Sequence, residues 1–239
     1  MKKRNLLFVI LSVFFIMVSC KEKEIVNNDA NHKISGEDCE VSISGVRFTK
    51  SINNAVNLIS SVNVDSVDFR SEGGKDFFSD PDGKLSNNTA PILLAKVDNT
   101  KSFTFISKVT PAFKEMYDAG TLYIYVNDGF WQKFAFERDE RGKNRMVTVR
   151  TIDYSDDNNH DVIIQESVYM KISSDTQTVG FYFSLDKVNW QLARLYKNNY
   201  PSEIWVGIGA QSPMGDGMTT RFTDCALSFE SIKDFRFGE

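Results

Sequence analysis

The sequence predicts an all-β fold, a two-sheet sandwich or jelly roll, and three observations lead there. From Val41 onward, apolar and polar residues alternate in short segments, the period of a strand with one buried face. Clusters of turn-forming residues separate these segments at the spacing of a sheet protein, and almost nothing recurs at helical spacing. About 220 of the 239 residues follow a leader-like start, a length that suits one sandwich with a sizeable core.

The leader divides as an export signal does. Lys2, Lys3 and Arg4 precede an apolar run from Leu6 to Val18, broken only by Ser12, and Ser19 and Cys20 close it. A spanning helix needs about 20 apolar residues, more than this run supplies. The segment Met17-Val18-Ser19-Cys20 resembles a bacterial lipobox, so residues 1–19 are expected to be a lipoprotein signal peptide and Cys20 the lipidated residue. Two or more acyl chains there would hold the chain on a membrane without crossing it.

Residues 20–39 read as a polar tether, with Lys21-Glu22-Lys23-Glu24 followed by Asn27, Asn28, Asn31, Ser35 and Gly36. Charged residues directly after a lipidated cysteine resemble the signal that carries Bacteroidota lipoproteins to the outer face of the outer membrane; a solvated charge run accounts for them equally well. The expected location is the cell envelope, lipid-anchored at the outer membrane, and the expected sandwich domain is residues 40–239.

A net charge of −4, from 28 basic and 32 acidic residues with no basic block beyond the leader, leaves no electrostatic footprint for nucleic acid. Cys39 and Cys225 remain besides Cys20. An oxidising compartment permits a disulfide between them, and two separate thiols are the alternative, since Cys225 lies within an apolar-alternating run.

The strands follow in order. Thr121 to Val126 places Leu122, Ile124 and Val126 on one face and Tyr123 and Tyr125 on the other, and Asn127-Asp128-Gly129 turns the chain. Trp131 to Glu137 sets Phe134 and Phe136 against a face of Trp131, Lys133 and Glu137. Further strands are predicted at Met146 to Ile152, Val162 to Gln165, Val168 to Ile172, Val179 to Ser184, Trp190 to Leu195, Ile204 to Gly209 and Arg221 to Phe229. Turns are predicted at Ser155 to Asn159 and Ser212 to Gly217, and Ala112 to Asp118 is the one short helical candidate.

The order of these pieces resembles the domain of unknown function 1349 family, some members of which carry the label "regulation of enolase protein 1". The matching segments are Asp76-Phe77-Phe78, Tyr117 to Leu122, Trp131 to Glu137, Tyr154 to Asp157, Phe183 to Asp186 with Trp190 and Arg194, Val206 to Pro213, and Arg221-Phe222. Together they span about residues 65 to 237. The resemblance implies a concanavalin A-like jelly-roll sandwich. It implies no established activity, although similar domains occur beside glycoside hydrolases and in carbohydrate-use loci.

Histidine chemistry has little to work with, because His32 falls in the tether and His160 in a polar loop. Glycine-rich phosphate loops are absent, and no cofactor is expected. The acidic stretches Asp80-Pro81-Asp82-Gly83 and Asp156-Asp157-Asn158-Asn159 carry oxygen ligands that suit calcium, but turn chemistry explains them and no metal site is assigned. Glu137-Arg138-Asp139-Glu140 is the only dense carboxylate cluster and reads as a solvated hairpin, which leaves no assigned catalytic pair.

The sharpest expectation is a carbohydrate ligand on the Trp131 face. A sugar ring stacks on an aromatic plane while charged and amide groups bind its hydroxyls. Trp131, Lys133 and Glu137 supply both kinds of group, Tyr123 and Tyr125 extend the platform, and Trp190 and Arg194 form a similar pair on another strand. A non-catalytic binding lipoprotein is therefore the leading expectation. A glycoside hydrolase or lyase using Glu137, or a structural, protein-binding envelope component, are the alternatives. If Trp131 and Trp190 are core aromatics and Lys133 and Glu137 a cross-strand ion pair, the platform dissolves.

Overall fold

A computed structural model of the chain describes residues 34–239, which belong to one compact unit. The predicted signal peptide, Cys20, His32 and the tether up to residue 33 lie outside the described residues. Strands β1 (Glu37–Ile43), β2 (Val46–Ile52), β3 (Ile59–Asn63), β4 (Ser66–Glu72), β5 (Phe77–Ser79) and β6 (Ser86–Asn88) come first. Next follow β7 (Ile92–Asp98), β8 (Phe103–Pro111), β9 (Ala119–Asn127), β10 (Phe130–Arg138), β11 (Asn144–Ile152) and β12 (Tyr154–Val162). The last are β13 (Val168–Ser174), β14 (Thr178–Ser184), β15 (Gln191–Lys197), β16 (Glu203–Gln211) and β17 (Gly217–Ser228). One 3-10 turn, Ala55–Leu58, is the helical element among the described residues.

Eight strands form the larger sheet in the order β1-β2-β7-β16-β9-β10-β11-β12, and seven form the smaller in the order β15-β14-β13-β8-β17-β4-β3. Every pairing within them is antiparallel. The sheets close over one apolar core in which Phe48, Phe69, Phe105, Phe134, Phe181 and Phe222 are all buried. Strand alternation explains who enters it: Leu122 and Ile124 of β9 and Phe134 and Phe136 of β10 point inward, as the sequence predicts.

The outer face of the larger sheet is the surprise. A second buried cluster covers it, made of Tyr123, Tyr125, Trp131, Ala135, Val147, Val149 and Trp205 under Phe77. Strands β9 and β10 are thus buried on both faces, which is why Trp131, Lys133, Ala135 and Glu137, alternating with the core phenylalanines of β10, are enclosed as well.

Several expectations change: the predicted strand Val162 to Gln165 is irregular beyond Val162, and His160 lies in a strand rather than a loop. Ser155 to Asn159 is a strand, not a turn: it forms β12, whose main chain pairs with β11 through Thr148↔Asn158 and Val149↔Asp157. An edge strand loses little by carrying Asp and Asn, and those charges discourage a second chain from adding there. Because successive residues of β12 point to opposite faces, Asp156 to Asn159 do not converge as a calcium loop would. Ala112 to Asp118 is irregular and not helical. Cys39 and Cys225 are separate free thiols, the former half-buried and the latter buried within the core, where burial pushes its thiol up to about 11.

The folded part also starts earlier than the tether reading suggests. Ile34 packs on the second cluster, and the Ser35 hydroxyl donates to Asp128 Oδ1 at 2.7 Å. Among the described residues no helix is long and apolar enough to cross a membrane.

Candidate functional site

Alternation along β10 sends Trp131, Lys133, Ala135 and Glu137 to the outer face of the larger sheet. Register places Tyr125 beside Trp131 and Tyr123 beside Lys133 across the β9–β10 ladder. The sequence expectation that these five side chains share a face holds in the structure. The expectation of an open aromatic platform does not, because Trp131, Tyr123 and Tyr125 are fully buried.

Their cover is the hairpin of β5 and β6, paired Phe77↔Asn88 to Ser79↔Ser86. Phe77 inserts edge-on against three rings, with centroids 5.4 Å from Trp131, 5.9 Å from Tyr123 and 6.4 Å from Tyr125. Such edge contacts each add about 0.5–1.5 kcal/mol beyond the area they bury. Trp131 Nε1 donates to the Asp128 carbonyl at 3.2 Å, so the indole is satisfied inside the protein. The physical reason for the correction is that the fold uses these aromatics to seat its own hairpin.

Lys133 is the hairpin's polar fastener. Only 2% exposed, its ammonium donates to the Phe77 carbonyl at 2.8 Å, to Gln211 Oε1 at 2.9 Å and to Asp76 Oδ1 at 3.4 Å. An ammonium has three donors, and these three acceptors use them all. Lys133 therefore positions its neighbours and does not reach a ligand itself, nor does it pair with Glu137.

Glu137 remains, at the far end of β10, where the outer face is polar. Gln211 of β16 joins it to Lys133: its amide donates to Glu137 Oε2 at 3.3 Å and to the Tyr117 carbonyl at 3.1 Å. Burial pushes the Glu137 carboxyl up to about 8, with Asp76, Asp157 and Asp139 adding to the rise and Lys133 opposing it. Near neutral pH it holds a proton far more readily than a free carboxyl, and in that form it offers a donor as well as an acceptor.

Asp157, on the edge strand β12, stays in contact with solvent, and partial burial nonetheless raises its carboxyl. The Tyr117 phenol is also raised, by burial first and then by the carboxylates of Glu140, Glu137, Asp157 and Asp139. Its surroundings are thus acidic.

Tyr117 sits at φ 65, a left-handed conformation that a bulky residue adopts only when its surroundings compel it. Those surroundings are explicit. Its amide donates to the Arg138 carbonyl at 2.7 Å. Next to it the buried Asp118 carboxylate accepts the amides of Lys114 and Glu115, both at 2.9 Å, and the Ser212 hydroxyl at 2.6 Å. Strain held in place by the buried Asp118 carboxylate, at the end of the face where Gln211 meets both Glu137 and the Tyr117 carbonyl, marks the candidate site. Asp139, read from sequence as part of a solvated hairpin, is instead 1% exposed and accepts the amides of Arg141 and Lys143 and the Arg145 guanidinium.

Trp190 and Arg194 do not join this site or each other. Trp190 precedes β15, and its ring stacks over Lys171 Nζ, 3.5 Å from the centroid, on the outer side of the smaller sheet. Arg194 reaches the other sheet, donating to Thr148 Oγ1 at 3.3 Å and pairing with Asp156 at 3.1 Å. Sequence reasoning missed Asp76, Tyr117, Asp157 and Gln211 as site residues. All four stood within the segments that carry the family resemblance, which was the available signal.

A family model described as "Protein of unknown function (DUF1349)" matches residues 54–229. The chain belongs to that family. No curated protein matches it. Among solved structures it is similar to a functionally unknown protein from Saccharomyces cerevisiae, 19% identical, with TM-score 0.68, over 75% of this chain and 95% of that one. It is also similar to a Bacteroides ovatus protein titled "Xyloglucan PUL GH43B", 15% identical, with TM-score 0.60, over 82% of this chain and 38% of that one. An engineered GH43 glycoside hydrolase with endo-xylanase and exo-arabinofuranosidase activity matches at 12% identity and TM-score 0.56, over 73% of this chain and 36% of that one. The chain thus spans little more than a third of either GH43 protein. At these identities the likenesses concern the fold alone, and the DUF1349 chain is a concanavalin A-like jelly-roll sandwich.

Proposed function

We propose that the chain is a lipid-anchored envelope protein whose sandwich binds a neutral saccharide at the Tyr117–Glu137–Asp157 opening. The observation that carries this is the acidic cluster at this end of the face, in which a buried Lys133–Gln211 network holds the Glu137 carboxyl and the Tyr117 carbonyl, with the Tyr117 phenol and the exposed Asp157 carboxylate within electrostatic reach of Glu137. Hydroxyl groups need donors and acceptors side by side, and this set provides both. Asp76 and Asp157 outweigh the enclosed Lys133 in charge, which disfavours an anionic sugar. The fold-level likeness to parts of GH43 proteins, one of them titled for xyloglucan, supports the ligand class.

Calorimetric titration of the full chain with xyloglucan, xylan and arabinan oligosaccharides tests the reading. Glu137→Ala is expected to weaken binding at least tenfold and Tyr117→Phe about three- to tenfold, the cost of roughly one hydrogen bond. Absence of binding across the panel, or variants that bind as wild type does, would overturn it. The anchor rests on the lipobox-like segment alone. Metabolic labelling with a palmitate analogue should mark the wild-type chain, and Cys20→Ser should abolish the label and release the protein from the membrane fraction; a labelled Cys20→Ser chain would refute it.

A catalytic reading draws on one specific feature, a carboxyl near pH 8 beside a second carboxyl, which is how a general acid is prepared. Reducing sugar released from xylan, arabinan or xyloglucan by wild type but not by Glu137→Gln would establish it. No release from any of them would dismiss it.

A further inference from the structure

The hairpin that covers the larger sheet leaves a second opening at the other end of β10. There a groove of about 430 Å³ lies between the hairpin and the turns that precede β10 and β12. Its volume falls within the range of about 300–1,000 Å³ that small-ligand sites occupy. Trp131 to Glu137 separates the two openings by about 20 Å of strand.

Its lining is unlike ordinary turn surface. Tyr154, 55% exposed, presents its ring over the lip, and a Cβ placed on Gly83 would stand 3.6 Å from Tyr154 Cε1. The glycine, at φ +72, therefore leaves beside the ring the space that a side chain would fill. On the floor, Gly129 carries no side chain, and a Cβ there would come within 3.2 Å of Asp153 Oδ1. Bareness at that position leaves room for the Asp153 carboxylate, which lines the groove.

The amide of Asn88 is fixed, its Nδ2 donating to the Asp128 carbonyl at 3.2 Å, while its Oδ1 is a buried acceptor that nothing in the protein satisfies. That acceptor is itself out of solvent's reach, so the acceptors the groove presents to a ligand are the exposed Asp128 and Asp153 carboxylates. Asp128, also lining the groove, is held by the Ser35 hydroxyl through its Oδ1 and by the Tyr125 hydroxyl. The groove thus offers an open aromatic ring and several fixed acceptors, with no cationic side chain in its lining.

We propose that this groove is a second binding site, for a single neutral sugar unit whose apolar face stacks on Tyr154 and whose hydroxyls donate to the Asp153 and Asp128 carboxylates. Aromatic faces take C–H-rich sugar surfaces, and vicinal hydroxyls supply donors to the groove's carboxylates. The site shares with the Glu137 opening only the class of ligand. The two are separable because each is lined by different residues.

The test is a titration of the isotope-labelled full chain with xylohexaose, cellohexaose and, as a cationic comparison, chitosan hexamer, read by amide shifts. A neutral hexaose should move the resonances of Gly83, Gly129 and Tyr154, and Tyr154→Ala should weaken that response at least tenfold. Tyr154 is exposed, so the variant should melt as wild type does; Gly129→Ala, which narrows the floor, should weaken binding independently. Glu137→Ala should leave these three resonances responding, so loss of one site does not mask the other. Shifts confined to Tyr117, Glu137 and Gln211, a response to the cationic oligomer alone, or Tyr154→Ala and Gly129→Ala chains that bind as wild type does would each overturn the proposal.

Discussion

Phe77→Ala should lower the unfolding free energy by about 3–5 kcal/mol, the usual cost of removing a fully buried phenylalanine, and should shift tryptophan emission to the red. The ring has no exposed surface and touches Trp131, Tyr123 and Tyr125 edge-on. A hairpin of two three-residue strands cannot stand alone, so its seat on the sheet depends on that insertion together with the hydrogen bonds of Lys133, Asn88 and Ser79 that tie it to the rest of the fold. Without the plug, water should reach Trp131. The neighbouring Phe78, only half-buried, serves as the comparison, and Phe78→Ala should cost distinctly less. Urea melts followed by fluorescence decide the matter: a Phe77→Ala chain with native emission and a loss below about 1 kcal/mol would mean the hairpin is not what seals the face.

Glu137→Gln should stabilise the protein at alkaline pH and leave it unchanged near pH 4. The folded carboxyl sits at about 8 because burial penalises its charge, whereas the unfolded one titrates at its ordinary 4.5. Below pH 4.5 both states hold the proton and no difference arises. Between 4.5 and 8 the folded state keeps a proton that the unfolded state releases, so stability falls as pH rises, by up to about 1.4 kcal/mol per pH unit. Above 8 the full penalty applies, on the order of 3–5 kcal/mol. The glutamine keeps the shape of the protonated acid and never ionises. Asp157 titrates in the same sense, so the informative quantity is the difference between wild type and variant in urea midpoints at pH 4, 7 and 9. A difference that stays constant across that range would refute the burial of Glu137.

The two predictions bear on why the sheets were legible from sequence and the site only half so. Alternation in β9 and β10 correctly sorted Leu122 and Phe134 from Tyr123 and Trp131, because side-chain period is a local property. What period cannot say is whether the second face meets water. That depended on Phe77, more than forty residues upstream of Tyr123, folding back over the sheet, a long-range contact with no local signature. The same gap explains Lys133, whose charge suggested exposure until Asp76, the Phe77 carbonyl and Gln211 enclosed it. Strand β12 failed in the opposite direction. Asp156 to Asn159 have turn propensities, and pairing with β11 overrode them at a sheet edge where polar side chains are cheap. Glu137 kept its place in the site, but its proton came from burial that no sequence pattern reports.

The loop between β5 and β6 is closed by its own backbone, Asp80 donating to Leu85 and Gly83 to Asp80, and its residues from Pro81 to Leu85 are exposed. It hangs from the hairpin without contributing to either large sheet. Exposed tips of this kind tolerate insertions. Protein engineers could therefore lengthen or randomise Pro81 to Leu85 as they do an antibody loop, and graft new selectivity beside Tyr154 while the sandwich that displays it is left untouched.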